Sequence, residues 1–501
     1  MINKKNTITL VQISFWLNGT QKIMYIPPGM TTLELLNNKL SLTGTKSSCN
    51  EGDCGACTVV IGQKTGSEIT YQAVNSCLYP AFRLHGKHLI TVEGLAEKEE
   101  LHPIQTAMLD EHSTQCGFCT PGFVMSMLGL FLNNINPNDE EILAALEGNL
   151  CRCTGYDSIL KAAKKVKSRL KKGSELLPVN LKKVEVQFNE CSPAFIFKEI
   201  ENTEGWETRN CFIPQTLSEL WDNIRSCKST DTCKFISGGT DLMVLANIQH
   251  IHYTHLIDLS NLKELQKVKL DKSELNIGAN VTMSQLMENN AVNEHFPILT
   301  EAFKQMASTQ IRNSATLAGN IAHASPVADG ATTLLAFDAG VILASSKAER
   351  KVKLKDFYKA YKKTELKTDE IIKSIAIPLP SEHKSYSGFI KSAKRKAVDI
   401  SGVVSVIVIE YQDGKITRAV LSFGGVAPYP ALAVKTMAFL KGKKIEEGWF
   451  EQAAEVAFNE FKPISDIRGH QSYRSILIKN HVLKHLADLF KEVHSVQKRS
   501  K

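Results

Sequence analysis

Eight of the chain's twelve cysteines fall into two tight sets, and no other feature restricts its fold so strongly. The first set occupies CNEGDCGAC, with Cys49, Cys54 and Cys57 in nine positions and Cys77 further on. The second pairs Cys116 and Cys119 of QCGFCTPG with Cys151 and Cys153 of EGNLCRCTGY. The N-terminal MINKKNTITLVQISFWLNG lacks the apolar run of a secretory signal, and no stretch approaches the roughly 20 apolar residues of a membrane span. The chain is therefore expected to be cytoplasmic, with no membrane partner. In a reducing compartment, clustered thiols point to metal binding or catalysis rather than to disulfides.

The spacing C-x4-C-x2-C with a distant fourth cysteine is that of plant-type two-iron, two-sulfur ferredoxins. Gly52 and Gly55 suit such a loop, because residues without Cβ let backbone amides turn toward sulfur. A structural zinc site is the alternative, but zinc usually takes two short cysteine hooks 12 to 20 residues apart. Around this set, ITLVQISFWLNGTQKIMYIP reads as a β-hairpin turning at Asn18-Gly19. Thr31 to Glu34 reads as a capping box opening a helix to about Leu40, and TVVIG as a strand. For the second set, Thr120-Pro121 is expected to cap a helix running to about Leu132. Asn138 with Glu141 should open a further helix that Gly148-Asn149 ends. Thiols meeting between helix termini suit a second two-iron cluster, although CxxC with CxC alone also suits zinc.

With 501 residues, 43% of them hydrophobic, the chain is long enough for three or four domains. Its 60 basic and 52 acidic residues are interspersed, so the net charge of +8 does not mark a nucleic-acid surface. KAAKKVKSRLKK reads as a basic helix, and Gly173, Pro178 and Pro193 mark a linker to about residue 208. Cys191, Cys211, Cys227 and Cys233 show no ligand spacing and read as small buried residues. CKFISGGTDLMV reads as a strand running into Gly238-Gly239-Thr240, a turn whose amides can cradle phosphate or merely form a corner. STQIRNSATLAGNIAHASPVADG crowds Arg312, Asn313, Thr316, Gly319, Asn320, Ser325 and Asp329 where an adenine dinucleotide can lie against backbone. No GxGxxG follows a strand, which argues against a Rossmann sheet.

CNEGDCGACTV, QCGFCTPG and GNLCRCTGY together resemble the iron–sulfur half of the molybdenum hydroxylases, the family of xanthine dehydrogenases, aldehyde oxidoreductases and carbon monoxide dehydrogenases. The two later stretches resemble the FAD-binding domain of that family, and YSGFIKSAKRKAVDISGVVSVIVIEY with SFGGVAPYP its closing domain. The resemblance implies an α+β chain in four parts: a β-grasp ferredoxin domain (8–98), an α-helical bundle iron–sulfur domain (99–172), a two-subdomain α+β FAD-binding domain (208–383) and a C-terminal α+β domain (384–492), with a linker at 173–207. It implies one 2Fe-2S cluster on Cys49, Cys54, Cys57 and Cys77 and another on Cys116, Cys119, Cys151 and Cys153. FAD contacts then fall on Phe235, Ile236, Ser237, Gly238, Gly239, Thr240, Asp241 and Leu242, and on Met306, Thr316, Leu317, Ala318, Gly319, Asn320, Asp329, Ile372 and Lys391. Ala318 stands where the family often has Gly, and Met306 where animal xanthine enzymes have Phe.

No substrate-transforming residue is expected in this chain, because no length remains for a molybdopterin domain. The resemblance implies molybdopterin on a large partner subunit, a dimer of heterodimers, no nucleic-acid partner, and NAD as acceptor. Clusters followed by flavin on one chain are similar to the bacterial xanthine dehydrogenase branch, whose partner subunit hydroxylates hypoxanthine and xanthine. The alternatives are the same role in an aldehyde or heteroaromatic dehydrogenase, or a non-catalytic iron–sulfur redox sensor.

Overall fold

A computed structural model describes residues 7–65, 68–97, 100–171, 176–182, 184, 194–227, 232–381 and 383–499. Gly173, Cys191 and Pro193 lie outside these residues. The chain divides into two compact units, residues 1–261 with 308–315, and 262–307 with 316–501. The division runs through the stretch 208–383 read as one FAD-binding domain.

The first unit opens with the expected hairpin. Strands β1 (Thr7–Leu17) and β2 (Thr20–Ile26) pair antiparallel, with Leu17 opposite Thr20. Asn18 (φ 49°) and Gly19 (φ 84°) take the positive angles that a two-residue turn with the strands' own twist requires. Thr31 forms a complete capping box with Glu34, and the helix α1 (Thr32–Glu34) widens into a π-turn over Leu35–Lys39 before ending at Leu40. β3 (Thr58–Thr65), β4 (Glu68–Asn75) and β5 (His88–Ile90) complete the sheet in the order β2-β1-β5-β3-β4, with β1 and β5 parallel. This is a β-grasp, its sheet closing on Leu33, Leu35 and Leu36. Within the expected linker, β6 (Ile196–Glu201) pairs antiparallel with β1, so that part of the segment belongs to the sheet. Long-range pairing with the N-terminal half of β1 is not visible in its local sequence.

Four helices follow: α2 (Pro103–Asp110), α3 (Thr120–Asn133), α4 (Asp139–Leu146) and α5 (Asp157–Arg169). Phe123, Val124, Met127, Leu128 and Phe131 of α3 are buried against Ile104, Ile142, Leu146, Ile159 and Val166. Gly129 lets α3 reach the sheet, since a Cβ there would meet that of Ala73 at 2.9 Å. Asn138 and Glu141 form the expected capping box. Thr120 does not cap α3; Cys119 occupies that place without a side-chain bond, and Thr120 is already helical. The basic helix α5 buries Ile159, Ala162, Ala163 and Val166 and turns its lysines outward.

The unit ends in a parallel three-stranded sheet ordered β7-β9-β8, from β7 (Asn210–Phe212), β8 (Cys233–Ile236) and β9 (His255–Asp258). Arg83 of the β-grasp part forms a buried ion pair with Asp258 of β9, and Ser260 donates to the same carboxylate at 2.7 Å.

In the second unit, an antiparallel sheet ordered β10-β11-β16-β12-β13 is built from Val268–Leu270, Glu274–Gly278, Ile371–Pro378, Gly340–Ala344 and Glu349–Lys353, with a small hairpin β14-β15 (Tyr358–Ala360, Lys363–Thr364) beside it. Its helices include Leu317–His323 and the buried Asp329–Ala336. A second sheet, β17 (Ser385–Ser392), β18 (Val403–Gln412), β19 (Lys415–Gly424) and β20 (Ala431–Leu432), packs on helices Phe450–Glu460 and Gln471–Arg499. The molecule thus carries the mixed α+β organisation expected. Among the described residues no helix is long and apolar enough to cross a membrane.

Candidate functional site

The first thiol set lies on a loop whose backbone requires glycine. Gly52 and Gly55 have φ of 88° and 66°, in the left-handed region that side chains rarely adopt. A Cβ on Gly55 would also meet the Gly148 carbonyl at 2.4 Å. The four thiols are arranged two and two. The sulfurs of Cys57 and Cys77 stand 3.3 Å apart, and Cys49 is hydrogen-bonded to Cys54. That bond lowers the Cys54 thiol to about 6 and raises its partner Cys49. Cys57 is likewise lowered by its bond with Cys77, which is raised by the same bond. Asn75 Nδ2 lies 3.8 Å from the Cys57 sulfur, and Asn247 donates to the carbonyls of Cys77 (2.8 Å) and Asn50 (3.0 Å).

The second set repeats the pattern. Cys116 and Cys153 are exposed, with sulfurs 3.7 Å apart, while Cys119 is hydrogen-bonded to Cys151. Burial, then the bond to Cys151, pushes Cys119 up to about 12. Burial also pushes Cys151 up, but hydrogen bonds led by that of Thr154, at 3.2 Å, bring it below the ordinary thiol range. The Tyr156 hydroxyl accepts from the Cys151 amide at 3.1 Å.

This arrangement bears on the choice of metal. A structural zinc ion needs four ligands converging on one centre. Thiols in two separate pairs fit instead a binuclear cluster whose two irons each take two thiolates.

A buried polar network joins the two loops. Asn149 donates to the Gly55 carbonyl (3.0 Å) and accepts from Ser126 (2.7 Å) and Gln310 (3.0 Å). Gln310 also donates to Ser126 at 2.9 Å, and the Leu150 amide donates to the Cys54 carbonyl at 2.9 Å. None of these roles is marked by ligand spacing, although Asn149, Thr154 and Tyr156 lie inside the quoted motif.

The expected FAD residues fall in two places. In the first unit, Phe235 and Ile236 end β8, and Ser237, Gly238, Gly239, Thr240 and Asp241 form the turn into the helix Leu242–Gln249. Gly239 has φ 80°, and a Cβ on Gly238 would lie 2.5 Å from the Ser314 carbonyl. A glycine pair with these constraints before a helix is the kind of turn that can bring backbone close to a phosphate. Of the polar residues in the same stretch, Arg312 is buried against Glu147 at 3.3 Å, and Asn313 donates to the Ala73 carbonyl at 2.8 Å.

In the second unit, Thr316 caps the helix carrying Leu317, Ala318, Gly319 and Asn320 by accepting from the Gly319 amide, and Asn320 accepts from the Ala331 amide. Met306 follows the helix Pro297–Lys304 and is half-buried; Ile372 is buried in β16. Lys391 Nζ and Asp329 Oδ2 form an ion pair at 2.8 Å, each side chain 6% exposed, and Lys391 also donates to the Gln305 carbonyl at 2.8 Å.

The sequence matches four family descriptions in order: a 2Fe-2S iron–sulfur cluster binding domain over residues 15–81, a [2Fe-2S] binding domain over 91–164, the FAD binding domain in molybdopterin dehydrogenase over 205–380, and the CO dehydrogenase flavoprotein C-terminal domain over 388–489. It is 32% identical to a xanthine dehydrogenase of Emericella nidulans, over 87% of this chain and 35% of that one. It is 31% identical to a xanthine dehydrogenase/oxidase of Gallus gallus, over 90% of this chain and 38% of that one. The chain thus spans little more than a third of the length of these curated relatives. A quinoline 2-oxidoreductase structure from Pseudomonas putida 86 superposes with a TM-score of 0.53 at 28% identity, covering 56% of this chain and 97% of that one. A carbon monoxide dehydrogenase from Hydrogenophaga pseudoflava shares the fold over 55% of this chain and 94% of its own, with a TM-score of 0.52 at 24% identity. With these four domains in this order, the chain belongs to the molybdenum hydroxylase family and carries its iron–sulfur and FAD-binding portion.

Proposed function

We propose that the chain is the electron-transfer subunit of a xanthine dehydrogenase, taking electrons from a molybdopterin-binding partner that hydroxylates hypoxanthine and xanthine, and delivering them to NAD. The observation that carries this reading is the similarity to proteins named xanthine dehydrogenase over most of the chain, combined with thiols grouped two and two at each cysteine set. Cys49, Cys54, Cys57 and Cys77 hold one 2Fe-2S cluster in a domain over 8–98, and Cys116, Cys119, Cys151 and Cys153 the other over 99–172. The turn Phe235–Leu242 receives the FAD pyrophosphate, and Met306, Thr316–Asn320, Asp329, Ile372 and Lys391 complete the flavin contacts over 208–383. Residues 384–492 form the closing domain. When bound, the clusters pass single electrons and the flavin exchanges them in pairs with nicotinamide.

The chain's own groups supply the setting. Asn75 and Thr154 donate toward ligand sulfurs, which favours the thiolate form. Lys391 places a buried positive charge at the flavin site, where reduction adds negative charge. The assembly is a dimer of heterodimers in the cytoplasm. A second reading, the same role in a heteroaromatic dehydrogenase, is favoured by the quinoline 2-oxidoreductase superposition.

Anaerobic NADH added to the purified, cofactor-loaded protein tests the relay: flavin reduction with bleaching of cluster absorbance is expected, and an inert spectrum favours a redox sensor. Hypoxanthine- against quinoline-dependent NAD reduction by the complex with its partner separates the two substrate readings.

A further inference from the structure

The Asp329–Lys391 pair has a third member that no ligand pattern marks. Ser401 is 1% exposed in the connection between β17 and β18, and its hydroxyl donates to Asp329 Oδ1 at 2.5 Å. The carboxylate is thereby anchored on both oxygens, by Ser401 on one and by Lys391 on the other. Asp329 also opens the helix Asp329–Ala336, whose positive end favours its charge. Lys391 spends two of its three N–H donors on Asp329 and the Gln305 carbonyl, and among the described residues no further partner takes the third. A buried ion pair keeps one geometry only while its remaining lone pairs and protons are satisfied. The Ser401 hydroxyl also offsets part of the carboxylate's negative charge, leaving more of the lysine's positive field for a neighbouring group.

We propose that Ser401 is a positioning residue that fixes the Asp329–Lys391 pair so that the lysine presents its free N–H and its charge to the flavin. This rests on the reading that FAD binds at Lys391. Removing the hydroxyl lets the carboxylate turn and draw harder on the ammonium, weakening the positive field. Because reduction adds negative charge to the flavin, the equilibrium shifts toward the oxidised form.

The test is anaerobic spectroelectrochemistry of the flavin in the cofactor-loaded protein, with bound FAD quantified alongside. Ser401→Ala is expected to lower the two-electron reduction equilibrium about tenfold, a fall of about 30 mV, with both cluster signals unchanged; Ser401→Thr is expected to restore it. A shift under twofold in Ser401→Ala overturns the inference. Should Ser401→Ala fail to retain FAD, Ser401→Cys, a weaker donor of similar size, carries the test: a fall of at least twofold supports the role and an unchanged equilibrium overturns it. Lys391→Met separates the two levels. If it leaves the potential unmoved, the flavin site itself is misplaced; if it moves the potential while the Ser401 variants do not, only the role of Ser401 fails.

Discussion

Replacing Asn149 with alanine should loosen both cysteine loops at once. Asn149 is 2% exposed and bonds Gly55, which lies between Cys54 and Cys57, while preceding Leu150 and Cys151. Truncation removes its bonds to Gly55, Ser126 and Gln310 and leaves a small void. The Gly55 carbonyl keeps the Thr58 amide (3.1 Å) and hydroxyl (2.6 Å), and Ser126 stays bonded to Gln310, so relief is partial. At about 1 kcal/mol net per lost bond, with a contribution from the void, the cost is about 3 kcal/mol. Urea unfolding followed by visible circular dichroism of the bound clusters reads it; for a slope of about 3 kcal/mol/M, the midpoint falls by about 1 M. Both cluster bands should weaken over the same urea range, because the Leu150 amide ties the second loop to Cys54. A loss under 1 kcal/mol, or bleaching of one cluster with the other untouched, would refute the idea that this network couples the loops.

Three further outcomes follow from buried groups. Arg83→Leu strands the Asp258 carboxylate with Ser260 as its remaining side-chain donor and should cost about 3 to 5 kcal/mol in unfolding experiments; recovery in Arg83→Leu with Asp258→Leu is expected, and a harmless single change would count against the pair. Burial lowers His88 and His481 to about 4, so both are neutral in the fold, whereas the unfolded chain takes up protons near pH 6.5. Their contribution is full above pH 6.5 and lost as pH falls toward 4, by about 2 kcal/mol each at pH 5; His481→Gln should flatten the pH dependence of melting, and an unaltered slope would be contrary. Gly239→Val forces a β-branched residue to φ 80° and should reduce FAD content at least tenfold while both cluster signals persist; full flavin loading would disqualify that turn.

Much of this was legible because the relevant interactions are local. The Asn18-Gly19 turn, the capping boxes at Thr31 and Asn138, the corner at Gly238-Gly239 and the cysteine spacing each depend on a few consecutive residues. What stayed hidden depends on distant partners. The pairing of β6 with β1, the ion pair of Arg83 with Asp258 and the burial of Arg312 against Glu147 leave no trace in local sequence. Arg312 illustrates this: its local sequence of small and polar residues gives no hint of the carboxylate of Glu147 that the fold sets beside it. Ser401 and Gln310 were invisible for the same reason, being ordinary polar residues whose role comes from what the fold sets beside them.

The central claim, that paired thiols hold two binuclear clusters feeding a flavin, is tested most directly by metal, sulfide and flavin analysis of anaerobically prepared protein with electron paramagnetic resonance after reduction. Four irons, four sulfides and one FAD per chain are expected, with two distinct signals of which Cys119→Ser removes one. Zinc in place of iron, or no more than two irons with a single signal, would contradict it.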